Sequence, residues 1–229
     1  MPPDSAVPAI ALRRHRLARL HPHAWVDMLA REWDPVARDC LAHWAAHGLP
    51  LVMTTQRAPP ADGRPTVSLG LAAPLRWERR RLALQVPRAG IASECEFPQA
   101  RDIVDSLPPA SRPAFAALAR AVAESGAGMR VFGSHGWQRL TGLPYVRDGS
   151  DVDLCVAVDS AEQADEVAAH LQAFAADRLR LDGELMFADG AAVHWREWSD
   201  WRRGATLRLL VKRLDGAVLA HDFAEQAGA

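Results

Sequence analysis

The chain is 229 residues long, 49% hydrophobic and 24% charged, with a formal net charge of -1. That is the balance of an ordinary globular protein, long enough to bury a core, and it gives no bulk signal for nucleic acid or a membrane surface as partner. No apolar run reaches the roughly 20 residues of a membrane span, and three cysteines (Cys40, Cys95 and Cys155, none in a CxxC pair) argue against a disulfide scaffold and for a reduced, cytoplasmic protein.

The N-terminal MPPDSAVPAIALRRHRLARL puts a short apolar piece before basic residues, the reverse of a secretory signal. The first ten or so residues are expected to be disordered. Asp34-Pro35 then reads as a helix cap with proline at the first helical position, opening VARDCLAHWAAH, which Gly48 and Pro50 end. LPLVMT and VSLGLA read as strands on either side of the turn-rich APPADGRP, and RRRLALQVP alternates like a third strand. Most of the eight Trp residues are expected in cores or interfaces, because Trp is foremost a large burial unit.

A second texture begins near Ser111, after a linker DSLPPASRP (105–113). SRPAFAALARAVAESGAG predicts a helix capped by Ser111 and stopped by glycine. MRVF (129–132) is a short buried strand, followed by a short helix, SHGWQRLTG, capped by Ser134. SDVDLCVAV (150–158) is a strand. SAEQADEVAAHLQAFAAD is a helix whose Ser160 and Gln163 fit a capping box. RLRLDGELMF, AAVHWREW and TLRLLVK read as three more strands, with Asp189-Gly190 as the hairpin turn between the first two. The order predicts an α/β (α+β) protein. A smaller N-terminal α+β domain, 1–110, precedes a C-terminal mixed sheet with flanking helices, 111–229.

The chemistry concentrates in VFGSHGWQRLTGLPYVRDGSDVDL. Residues at i and i+2 of a strand face the same way, so Asp151 and Asp153 share a face. Two carboxylates about 4 Å apart, at an effective dielectric near 20, repel by about 4 kcal/mol. A divalent cation between them removes that cost, and all-oxygen ligation suits Mg²⁺, which also binds substrate phosphates. Gly133 lets backbone approach a ligand closely. Ser134 opens a helix whose free amides and positive dipole end favour an anion. Ser150 adjoins the carboxylates. Phosphate on one side and a metal on the other make a phosphoryl- or nucleotidyl-transfer site. A third carboxylate is expected from Asp182 or Glu184, again i and i+2, with Glu184 slightly preferred. Arg57, Arg147 and Lys212 are candidate cations for an anionic substrate.

Other residues carry blander readings. His43 and His47 are four apart on a helix, but Trp44 stands where a zinc hydrolase needs Glu, so they read as a surface pair. Cys155 alternates with Asp153 on a buried strand and reads as packing. Arg79, Arg80 and Arg81 read as a solvated strand end.

Gly-Ser, a short helix and DxD on the next strand resemble the nucleotidyltransferase superfamily of the polymerase-beta type. RVFGSHGWQRLTGLPYVRDGSDVDL, LDGEL and AVHWREW more closely resemble the holo-acyl-carrier-protein synthases of malonate decarboxylase, which are phosphoribosyl-dephospho-CoA transferases. The match is strong from about Arg130 to Trp198 and looser before Ser111, where GLPLV and Arg57 align. The resemblance implies 2'-(5-triphosphoribosyl)-3'-dephospho-CoA as donor and a serine on the acyl-carrier subunit of malonate decarboxylase as acceptor, with pyrophosphate released. It implies that Gly133 and Ser134 hold the departing phosphates, Asp151 and Asp153 bind Mg²⁺, and Asp182 or Glu184 activates the serine. Three readings stand beside it: a synthase acting on the citrate lyase carrier, an ATP-dependent nucleotidyltransferase of the same fold, and an inactive carrier-binding module.

Overall fold

The computed structural model describes residues 12–56, 65–176, 179–221 and 223. The N-terminal ten residues, Arg57 and most of the APPADGRP turn lie outside the described residues. The chain divides between Glu96 and Phe97 into two compact units.

The first unit is an antiparallel sheet with two helices. It comprises β1 (Arg16–Leu20), α1 (Pro22–Leu29), α2 (Pro35–Ala46), β2 (Leu51–Met53), β3 (Thr66–Ala72), β4 (Arg81–Pro87) and β5 (Ile91–Glu96), with sheet order β4-β3-β2-β1-β5. α2 starts where expected, because the Asp34 carboxylate accepts hydrogen bonds from the Val36 and Ala37 amides at 3.0 Å each and Pro35 presets the first turn. It buries Ala37, Cys40, Leu41 and Trp44, the spacing of one helical face. Trp44 meets Trp77 edge-on at 5.7 Å, and the Trp77 indole donates to Asp39 at 2.6 Å. His43 and His47 stack on each other with ring centres 4.1 Å apart. Arg80 pairs with Glu78 and Asp34. β1, α1 and β5 have no counterpart in the sequence reading. RLARL mixes basic and apolar residues, yet buries Leu17, Ala18 and Leu20.

The second unit holds α3 (Arg112–Glu124), β6 (Gly128–Phe132), α4 (Gly133–Thr141), β7 (Val152–Val158), α5 (Ala161–Ala173), β8 (Leu181–Phe187), β9 (Ala192–His194), α6 (Trp195–Arg202), β10 (Leu209–Lys212) and β11 (Ala217–Ala220). Its mixed sheet runs β11-β10-β9-β8-β7-β6. β7 and β8 are parallel through the crossover helix α5, and the other neighbours are antiparallel. The segment expected as a linker, 105–113, instead turns through short 3-10 helices and buries Leu107 in this unit's core. The division therefore falls earlier in the chain than the composition change. Ser111 is buried and makes no capping bond to α3. Ser160 does cap α5, accepting from the Gln163 amide at 3.2 Å. WREW, read as the end of a strand, turns into α6 after His194. Trp195 and Trp198 thereby reach the core together, a 3-residue spacing that a strand would split between faces.

The sheet has two unlike faces. Val131, Val152, Leu154, Val156, Leu181, Leu185, Val193 and Val211 are buried with residues of α3, α5 and α6. Asp153, Asp182, Glu184, His194 and Lys212 alternate with them and stand on the other face. The parallel register sets Asp153 beside Asp182 and Leu154 beside Gly183. Gly183, at φ 149°, passes so close to β7 that a Cβ would collide with the Leu154 backbone. Gly183→Ala is therefore expected to destabilise the chain by about 3 kcal/mol, as other forced overpacking does. Circular-dichroism melting should show a fall of roughly 6–12 °C, and an unchanged transition would contradict the close strand approach.

Candidate active site

Gly133 and Asp153 define the centre. β6 ends opposite β7 with Phe132 paired to Asp153, and the chain turns into α4 at Gly133 with φ 57°. That left-handed turn favours glycine. A Cβ at 133 would overlap the Asp153 carboxylate outright, so glycine is required twice over. The helix begins at Gly133, with Phe132 at the cap position, and not at a Ser134 cap as the sequence suggested. Ser134 lies in the first turn, and its backbone amide hydrogen-bonds the Asp153 carboxylate. The helix's positive end is thus turned on the chain's own carboxylate.

Burial pushes the Asp153 carboxyl up to about 6, and the charges of Asp182 and Asp151 push in the same direction against the Ser134 amide. Asp151 precedes β7 and accepts from Arg180 Nε at 2.8 Å. Asp182 accepts from His194 Nε2 at 2.6 Å and from the Gly183 amide at 2.9 Å, with Arg196 Nη1 at 3.8 Å. Burial opposes the charge of Asp182, but the hydrogen bonds from His194 and Gly183 and the nearby Arg196 outweigh it and hold the carboxyl below its ordinary range. His194 Nδ1 accepts from the Arg196 amide at 3.2 Å. Nε2 therefore carries the proton that faces Asp182, which fixes the tautomer.

The remaining expected residues stand in several places. Glu184 is on the same face of β8 but buried, and Lys212 Nζ donates to it at 2.8 Å. Ser150 closes a turn with Arg147: its hydroxyl accepts from the Arg147 amide at 3.1 Å, and its own amide donates to the Arg147 carbonyl at 3.0 Å. The Arg147 side chain is exposed. Ser150 also bonds the buried His135 of α4 through its backbone, which ties the DxD approach loop to the helix that starts at Gly133. His194, Arg180 and Arg196 were missed by the sequence reading. The one signal for His194 and Arg196 was their spacing in AVHWREW, just after a strand bearing Asp182.

Among the described residues, no group of three or more His, Cys, Asp or Glu side chains is arranged as a metal site. The donor chemistry at Asp151, Asp153 and Asp182 nonetheless suits a hard divalent cation with water ligands. Three carboxylates adjoin, and the central one is held against its charge by burial and repulsion. A cation there would relieve both.

Two family models cover the described units: the phosphoribosyl-dephospho-CoA transferase MdcG N-terminal domain matches residues 13–97 and the C-terminal domain matches residues 98–222. A phosphoribosyl-dephospho-CoA transferase of Xanthomonas campestris pv. campestris (strain 8004) is 34% identical over 206 residues, 89% of this chain and 94% of that protein. One from Xanthomonas axonopodis pv. citri is 37% identical over 201 residues, 86% of this chain and 91% of the relative. One from Bradyrhizobium diazoefficiens is 35% identical over 213 residues, 92% and 91% of the two chains. No solved structure matches.

The Asp153 environment has a measurable consequence. Its carboxyl titrates near 3.8 when unfolded and near 6 in the folded chain. Between those values the folded state holds the extra proton, so stability falls as pH rises through that window. Asp153→Asn removes the penalty while keeping an acceptor for the Ser134 amide. Its melting temperature in metal-free buffer should exceed that of the parent at pH 8, with the gap closing toward pH 4. A variant less stable than the parent at pH 8 would contradict the assignment.

Proposed function

The chain belongs to the phosphoribosyl-dephospho-CoA transferase family, and on that premise we propose that it moves the phosphoribosyl-dephospho-CoA group from 2'-(5-triphosphoribosyl)-3'-dephospho-CoA to a serine hydroxyl of the apo acyl-carrier subunit of malonate decarboxylase. The observation that carries this reading is the Gly133–Asp153 contact beside Asp151 and Asp182. It is an acidic centre at the start of a helix, on the polar face of a mixed sheet.

In the proposed reaction the carrier serine oxygen bonds to the phosphorus nearest the ribose. The bond from that phosphorus to the bridging oxygen breaks, and pyrophosphate leaves with the electron pair. Phosphoryl transfer of this kind passes through a loose transition state, so positioning and charge neutralisation dominate over strong base catalysis. Asp151 and Asp153 are the proposed holders of Mg²⁺, which when bound neutralises charge on the phosphate oxygens. Asp182 is the better candidate for the third carboxylate. His194 and the Gly183 amide keep it ionised and oriented, and it stands beside Asp153 in register. It would accept the serine proton. Glu184 is occupied by Lys212, which makes both more suited to holding the sheet than to touching substrate.

The Gly133 and Ser134 backbone shapes the wall against which the departing phosphates would sit, with Ser150 and Arg147 at the loop beside it. Arg57 remains a candidate phosphate contact outside the described residues. We assign the first unit, which ends at Glu96, to contacts with the CoA end or the carrier. No helix among the described residues is long and apolar enough to cross a membrane. Cys40, Cys95 and Cys155 take part in no disulfide, in keeping with a reducing, cytoplasmic setting.

The test mixes protein, Mg²⁺, the triphosphoribosyl donor and the apo carrier, with ATP as a parallel donor, and reads carrier mass. The expected result is a gain equal to phosphoribosyl-dephospho-CoA, abolished by EDTA, with Asp151→Asn and Asp153→Asn slower by at least about 100-fold. Folded variants that transfer at the parent rate would sink the site assignment. Transfer of AMP alone would replace the donor, and transfer to a citrate lyase carrier alone would replace the acceptor.

A further inference from the structure

Away from the polar face, the catalytic unit carries a pocket that the reaction scheme above does not use. α5 ends at Ala173 and β8 begins at Leu181, while α6 opens at Trp195. Between these ends lies a cavity of about 410 Å³, within the range of small-molecule sites. Phe174 and Trp195 supply apolar wall, and Arg180, Arg196 and Arg203 supply charge against the single carboxylate of Asp200. Arg180 bonds Asp151 at 2.8 Å, Arg203 bonds Asp200 at 2.6 Å, and Arg196 donates to the Leu181 carbonyl at 2.9 Å. Arg196 also lies 4.3 Å over the Trp195 ring. The Trp195 indole nitrogen is buried with no hydrogen-bond partner among the described residues, and a buried donor of that kind calls for an acceptor.

Three guanidinium groups in one cavity match an oxyanion with several acceptor oxygens, because each can present a two-pronged donor to phosphate. Two of them also touch the candidate catalytic carboxylates: Arg180 at Asp151 and Arg196 near Asp182. The cavity is therefore one side chain away from the reacting centre. We propose that this pocket binds a diphosphate group of the donor, an inference that rests on the transferase reading and names a subsite for it. Its source is either the diphosphate within dephospho-CoA or the pyrophosphate once it has left the Gly133–Ser134 wall. Both present the same chemistry to the arginines.

Isothermal titration calorimetry on the full chain separates the two, with dephospho-CoA and inorganic pyrophosphate as probes. Arg203→Gln removes one guanidinium. Gln172→Glu, on the exposed last turn of α5 at the pocket rim, adds an opposing charge without touching the core, and Gln172→Lys reverses that sign. The expected result is a Kd about tenfold weaker in Arg203→Gln and Gln172→Glu and no weaker in Gln172→Lys, with unchanged melting curves. A response with dephospho-CoA places the nucleotide diphosphate in the pocket, and a response with pyrophosphate alone places the leaving group there. Parent-like affinity of both probes in both weakening variants, or no binding of either probe to the parent at millimolar concentration, would overturn the proposal. Affinities that respond as expected in a parent chain that transfers nothing to a carrier would remove the transferase reading and leave the pocket assignment standing.

Discussion

A carboxylate pressed against a bare α-carbon is the constraint on which the catalytic unit turns. Asp153 can occupy its place only because residue 133 has no side chain. The same glycine takes the positive φ that swings β6 into α4. The Ser134 amide then meets the carboxylate. One backbone geometry thus sets the angle between strand and helix, fills the space beside the acidic centre and orients its central group. The cost is electrostatic. The fold crowds Asp151, Asp153 and Asp182 together and buries the middle one, an arrangement that lowers stability for a charge-handling task.

The legible part of the site was local in sequence. Gly133 and Ser134 follow a short apolar strand, and Asp151 and Asp153 sit two apart before an alternating one, so turn chemistry and strand periodicity were enough to find them. The strong cap at Asp34 and the hairpin at Asp189-Gly190 were found the same way. The environment of those carboxylates was not legible. His194 reaches Asp182 only because β8 and β9 pair with Glu184 opposite His194, and Arg180 reaches Asp151 only through the parallel crossover of α5. Sequence spacing carries no trace of such register. The slight preference for Glu184 over Asp182 had nothing local to rest on: both alternate correctly, and the pairing of Glu184 with Lys212 comes from a distant strand.

Missed elements share a physical cause. β1 and β5 carry several charged residues, and their burial comes from pairing with each other, a nonlocal fact. WREW alternated poorly as a strand because it is one turn of helix, with Trp195 and Trp198 on a single buried side. The supposed linker looked polar and proline-rich, yet Leu107 anchors it in the core. Where apolar residues are sparse, one well-placed side chain outweighs composition.

Beyond the acidic centre, the buried Glu184 and the half-buried Lys212 act on the alignment of the sheet. β10 meets β9 through a single registered pair, Lys212 opposite Ala192, which is a slender attachment for the terminal hairpin. A one-residue slip of β10 would turn Lys212 into the apolar side of the sheet and break its bond to Glu184. Aliphatic side chains such as Leu209 and Val211 tolerate sliding far better than such a pair does. The ion pair therefore serves as a key that admits the last two strands in one alignment, and it guards the far edge of the sheet against the misregistration to which short closing hairpins are prone.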